Sequence, residues 1–229
     1  MAIKIWQGDA VAVAQSGTVD IGTGHASGVY VLTATDEAGN TVAVSDTSTS
    51  ATNTVIAASL ADAWNASGSP VAQRVTASVS GVRITLTADT AGVPFTIASS
   101  VSGGDATIGS YTAVTANSGP NDYNTAENWA DGSKPSADDD DVYLTPENNV
   151  GILWGLNQSG TEIDSFHVEP GYSGTIGGSD GGYLQLHLGN TEVFSYTGTG
   201  TAYIDVGAST ISPVIERTAI PGSGKHGLY

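Results

Sequence analysis

The sequence predicts a mainly β protein in which a small α+β module precedes a second, all-β domain. Three observations lead there. Only 13% of the 229 residues are charged, well below the share in an average soluble domain. Glycine is abundant, at 30 residues, and Ser and Thr are frequent between short apolar runs. That composition suits short strands joined by tight turns and disfavours helical bundles. Finally, a helical apolar period occurs convincingly in one segment, whereas alternation recurs along much of the chain.

In the first half, Val29–Ala34 and Thr41–Ser45 read as a hairpin closed by the turn cluster Asp36-Glu37-Ala38-Gly39-Asn40. The helix follows, with Asn53 or Thr54 as its cap and Val55, Ile56, Leu60, Ala63 and Trp64 on one face. Ser67-Gly68-Ser69-Pro70 ends it. Val75, Ala77 and Val79 alternate inward, then Val82, Ile84 and Leu86 after the Ser80-Gly81 turn, with Arg74 and Arg83 outward. Phe95 and Ile97 continue the pattern. The expected arrangement is a small sheet covered by one helix.

Thr115–Asp122 is rich in turn formers and marks a domain boundary. The expected layout is an N-terminal arm over 1–27, an α+β module over 28–118, and an all-β domain over 119–229. In the last of these, short apolar runs recur at Val142–Leu144, Gly151–Leu156, Ile163–Val168, Gly174–Ile176, Tyr183–Leu188, Glu192–Tyr196 and Ala202–Val206. Leu184, Leu186 and Leu188 alternate with Tyr183, Gln185 and His187. This spacing fits a β-solenoid or a β-sandwich equally well. The tail, from Ile211 to Tyr229, offers no obvious cap, which favours either a partner or a longer chain.

Charge narrows the partners. Twenty-three acidic residues against 6 basic ones give a formal net charge of -17. The cations Lys4, Arg74, Arg83, Lys134, Arg217 and Lys225 are scattered, so neither nucleic acid nor an anionic membrane is an expected partner. There is no cysteine, hence no disulfide framework and no thiolate metal site. The N-terminus lacks the pattern of a signal peptide, and no apolar run reaches membrane-spanning length.

The chemistry-bearing residues form no motif. His25, His167, His187 and His226 have no ligand spacing, and a surface or core-edge role is expected for each. Asp138-Asp139-Asp140-Asp141 lacks both the EF-hand and the Gly-rich repeat frame for calcium, so it reads as a solvated turn. Asp164, Glu169, Asp180 and Asp205 are the acids that could pair for glycoside hydrolysis. Trp154, Tyr172, Tyr183, Tyr196 and Tyr203 could stack on sugar or simply pack. Glycines 177, 178, 181 and 182 precede no helix and form no phosphate loop. No catalytic residue, metal or cofactor is expected. The docking expectation rests on Ile3, Ile5 and Trp6, an aromatic anchor in an unstructured lead-in.

Two segments resemble known proteins. Ala57–Ser67, then Val75-Thr76-Ala77, then Ile84–Thr96 resemble a module of bacteriophage virion structural proteins, over roughly 28–118. Asn124–Pro135, with the four Asp before Val142-Tyr143-Leu144, resembles the segment that opens right-handed parallel β-helices in phage and large bacterial surface proteins. That resemblance implies that Trp129 plugs the coil end. Together these imply a non-enzymatic virion surface protein, assembled in the host cytoplasm as a capsid decoration or head fibre. The implied partners are its own copies, with a trimer as the first expectation, and the major capsid protein. A tail-fibre or tailspike receptor-binding component and a secreted bacterial surface adhesin are the alternatives.

Overall fold

The computed structural model describes residues 2–36, 39–137, 139–178 and 182–206. In chain order these form β1 (Ala2–Ile5), β2 (Ser16–Thr23), β3 (Val29–Thr35), β4 (Thr41–Thr47), α1 (Asn53–Asn65), β5 (Val75–Ser80) and β6 (Arg83–Ala88). They continue with β7 (Thr96–Ser102), β8 (Thr107–Ile108), β9 (Thr112–Thr115), β10 (Asp140–Leu144), β11 (Asn157–Val168), β12 (Leu184–Tyr196) and β13 (Ile204–Asp205). The protein is mainly β, with a single α-helix among the described residues.

The chain divides into two compact units, one from Ala12 to Ser118, the other joining the first eleven residues to the chain from Gly119 onward. The expected arm over 1–27 is therefore corrected. It holds two strands, β1 and β2, and divides between the units. Its alternation explains why: Val19 and Ile21 are buried on β2, and Lys4 and Trp6 are buried at β1.

The 12–118 unit contains two antiparallel sheets. One runs β5-β6-β2-β8 with β9 also on β2, and the other runs β4-β3-β7. The expected hairpins are present: β3 pairs β4 from Val29↔Thr47 to Thr35↔Thr41, and β5 pairs β6 from Val75↔Ala88 to Ser80↔Arg83. Gly81 turns the second hairpin at φ +63°, a conformation that strains other residues. Helix α1 packs Ile56, Ala57, Leu60, Ala61 and Trp64 into a core with Tyr30, Leu32, Ile84 and Leu86.

Several local expectations change. The helix cap is Thr52, without a side-chain cap bond; Asn53 is the first helical residue, and its Nδ2 donates to the Gly22 carbonyl at 2.8 Å. Val55 lies on the exposed side, and Val79 and Val82 are partly exposed at the turn end of the β5–β6 hairpin.

The other unit is built on parallel pairing. Its sheet runs β1-β10-β11-β12-β13, with every neighbour parallel. Apolar residues stack in rows: Val142, Phe166 and Phe194 follow one another across three strands, with Lys4 of β1 before them. Further parallel bridges join Ile152 to Ile176 and Ile176 to Ala202. All of the apolar runs expected in 142–206 fall on these strands or bridges. The expected alternation holds, since Leu184, Leu186 and Leu188 are buried. Close approach recurs along the stack: a Cβ on Gly200 would lie 2.2 Å from the Gly174 carbonyl oxygen, and one on Gly151 2.4 Å from that of Thr175. The tail from 207 to 229 lies outside the described residues.

Candidate functional surfaces

The expected anchor Trp6 is a core residue. Strand β1 lies beside β10 and sends alternate side chains to opposite faces, so Lys4 and Trp6 go in while Ile3 and Ile5 go out. Trp6 is fully buried against Trp129, with ring centroids 5.2 Å apart in an edge-to-face arrangement, and Trp129 meets Tyr123 at 4.9 Å. Each indole N–H is satisfied: Trp6 donates to the Val150 carbonyl at 2.8 Å and Trp129 to that of Tyr123 at 2.9 Å. Burial, then the nearby Asp140 charge, pushes the Tyr123 phenol well up. Of the expected docking trio only Ile3 is well exposed, at 60%, with Ile5 half-buried.

Lys4 had no role in the sequence reading. Its side chain is buried, and its ammonium donates to Asp131 Oδ2 at 2.6 Å and Ser133 Oγ at 2.7 Å. The hydrogen bond from Lys4 holds the Asp131 carboxyl below the usual range. A cation beside an apolar alternation was the available signal, since a strand position between Ile3 and Ile5 must point opposite to both.

Two of the four consecutive aspartates are likewise structural. Asp140 and Asp141 are 3% and 5% exposed, which corrects the solvated-turn expectation for that pair. Asp140 Oδ2 accepts from the Ser136 and Ala137 N–H groups at 2.8 and 3.2 Å, and Asp141 accepts from the Ser165 hydroxyl. Asp138 lies outside the described residues. No group of three or more His, Cys, Asp or Glu suited to a metal occurs among the described residues.

The outward rows of the parallel sheet carry the remaining candidates. The His167 ring stacks on Tyr143 at 4.6 Å, with planes 10° apart, and His187 Nε2 lies 3.6 Å from Glu162. Asp205 shares a row with Gln185 and Asn157. Asp164 sits at the irregularity of β11 between Ile163 and Ser165, and Glu169 follows the strand's end. The pairing thus places Asp205 at one end of β11 and Glu169 at the other. Asp180 and Gly181 lie outside the described residues, as does His226.

The aromatics separate by environment. Tyr172 is buried and donates to the Val150 carbonyl at 2.7 Å; burial raises its phenol well above the ordinary value. Tyr196 donates to the Gly200 carbonyl at 2.7 Å. Tyr183 and Tyr203 meet edge to face at 6.2 Å, and both are half-buried, as is Trp154. Gly177, at φ +67°, stands where a Cβ would lie 2.6 Å from the Tyr203 carbonyl oxygen, so its role is close packing.

In the 12–118 unit, His25 presses its ring against Gly104, where a Cβ would lie 2.4 Å from it. The outward face of the β5-β6-β2 sheet bears an ion pair, with Arg83 Nε and Nη2 donating to Asp20 at 2.8 Å each. That hydrogen bonding lowers the Asp20 pKa. The outward face of β4-β3-β7 differs. Its twelve residues are Thr41, Ala43, Ser45 and Thr47 on β4, Val29, Val31, Thr33 and Thr35 on β3, and Thr96, Ala98, Ser100 and Ser102 on β7. None is ionisable.

Among the described residues, no helix is long and apolar enough to cross a membrane. No family model matches the chain, and no curated protein sequence matches it.

Proposed function

We propose that this chain is a bacteriophage virion structural protein, a capsid-surface decoration or head-fibre component that works by shape and contact area rather than by catalysis. The observation that supports this most is the all-parallel sheet β1-β10-β11-β12-β13, with the Trp6–Trp129–Tyr123 cluster beside its first strand. We read that stack as a parallel β-helix, because rows such as Val142, Phe166 and Phe194 continue from strand to strand and the bridges at Ile152, Ile176 and Ala202 repeat the pattern on a second wall. A jelly-roll sandwich would instead be antiparallel. The acidic charge balance, 23 acidic residues against 6 basic ones, fits an outer component that never touches packaged DNA, and self-repulsion keeps copies soluble until a specific surface captures them.

In this reading the partners are the major capsid protein and other copies of the chain, and the location is the virion surface. Purified protein added to undecorated heads should bind stoichiometrically and saturably. Absence of binding, with enrichment of the chain in culture supernatant rather than in purified particles by mass spectrometry, would favour the adhesin alternative. The half-buried Tyr183–Tyr203 pair beside the Asn157–Gln185–Asp205 row gives the tail-fibre alternative its own test. Glycan-array binding that is lost on Tyr203→Ala would move the assignment there.

A further inference from the structure

We propose that β7 is the contact through which two copies of this chain pair, edge to edge and antiparallel, into one continuous six-stranded sheet. The inference goes beyond the particle-surface reading and does not depend on it.

Strand β7 is an edge: it pairs with β3 on one side, and no strand among the described residues pairs with it on the other. The pairing to β3 runs unbroken from Thr35↔Thr96 to Val29↔Ser102. The segment after β7 comes back close to it, with Ser99 on the inward row donating from Oγ to the Gly109 carbonyl at 2.7 Å, but makes no main-chain bond to it among the described residues. Its outward-directed main-chain groups therefore have no protein partner among the described residues. Native edges are usually blunted by Lys, Pro, a bulge or a charge pointing inward. The segment Thr96-Ile97-Ala98-Ser99-Ser100-Val101-Ser102 has none of these.

The occupant follows from charge and from the sequence of the strand. A chain of net charge -17 resists its own copy wherever acidic side chains meet. Neither β7 nor the outward face it shares with β3 and β4 carries an ionisable group. The strand is also self-complementary about Ser99. A two-fold axis there sets Ile97 opposite Val101 of the copy, Ala98 opposite Ser100, and Thr96 opposite Ser102. Ile97 and Val101 are only partly buried against the core, so each would cover the other's remaining apolar surface. Such a contact is isologous and closes at two copies.

The full-length protein in solution tests this, without any particle. Sedimentation velocity across a concentration series should show a reversible monomer–dimer equilibrium. Ala98→Lys with Ser100→Lys places like charges opposite each other across the axis while altering only exposed positions. It should weaken the dimer by about tenfold or more and leave the circular dichroism spectrum unchanged. The matching Glu pair should behave alike, and mixing the Lys and Glu variants should restore a heterodimer. Because the chain has no cysteine, Ser99→Cys should give a disulfide-linked dimer cleanly under mild oxidation. A monomer at all concentrations, a trimer, or a dimer indifferent to the Lys pair would each overturn the proposal. Failure to bind heads would leave it standing, so the two readings fail separately.

Discussion

The two units solve the burial problem in opposite ways. Between Ala12 and Ser118, antiparallel hairpins close locally, and one helix supplies the bulk of the filling. Ile56, Leu60 and Trp64 meet Leu32, Ile84 and Leu86, residues of different strands and different sizes. In the other unit, the neighbours of a strand come from distant parts of the sequence, and like stacks on like, as in Val142, Phe166 and Phe194. The first kind of core tolerates its hairpins being learned one at a time. The second needs a start, since each strand is ordered by the one before it. Strand β1 is the first strand of that sheet, and Trp6 beside it is buried against Trp129, which in turn meets Tyr123.

Removing the start should therefore do the most damage. Trp129→Ala deletes a buried indole that contacts two rings and is expected to cost about 3–5 kcal/mol. Hydrogen exchange should show lost protection concentrated in β1 and β10. Equal loss over the hairpins of 12–118 would erase the contrast between the units. Leu32→Ala is the matched cut in the helix-filled core, at about 2–5 kcal/mol by chemical denaturation, with deprotection centred on β3, β4 and β7.

Smaller effects sharpen the comparison. Gly200→Ala should cost about 1–3 kcal/mol, because its Cβ meets backbone that cannot move aside; thermal denaturation reads it. Gly39→Ala, at φ +79° with open space around it, should cost only about 1 kcal/mol. Acid titration separates two ion pairs. The carboxyls of Asp131 and Asp20 are both held low, so each contributes stability above its unfolded pKa that is lost as pH falls through the folded value. Lys4→Met should flatten that acid limb visibly, since the ammonium is buried. Asp20→Asn should change stability by less than about 1 kcal/mol, and less still in high salt, because its pair with Arg83 is exposed.

The hairpins were legible because alternation and turn chemistry are local: Gly39-Asn40 and Gly81 sit where the sequence places turns. The helix was legible from the spacing of Ile56, Leu60 and Trp64, although its cap was not. Asn53 has the chemistry of a cap, but the helix begins one residue earlier than that reading requires, at Asn53 itself, and its amide is tied to the Gly22 carbonyl on β2. Strand β2 escaped notice because its apolar residues, Val19 and Ile21, are separated by Asp20 among Gly and Thr. Trp6 was misread as exposed because nothing near it in sequence buries it; Trp129 and Val150 do.

By itself, then, the order of residues determined the hairpins of β3 to β6, the apolar runs that became strands after Val142, where the helix would lie, and that acidic residues would dominate. Those are consequences of neighbours a few positions apart. Only the tertiary structure decided that the second unit pairs in parallel, that Lys4 and Asp140 turn inward, and that β7 is left as an uncharged edge. Parallel partners are distant and unequally spaced along the chain, so no short-range pattern records them. The environment of a buried cation or an unpaired strand is supplied by residues the local sequence does not contain.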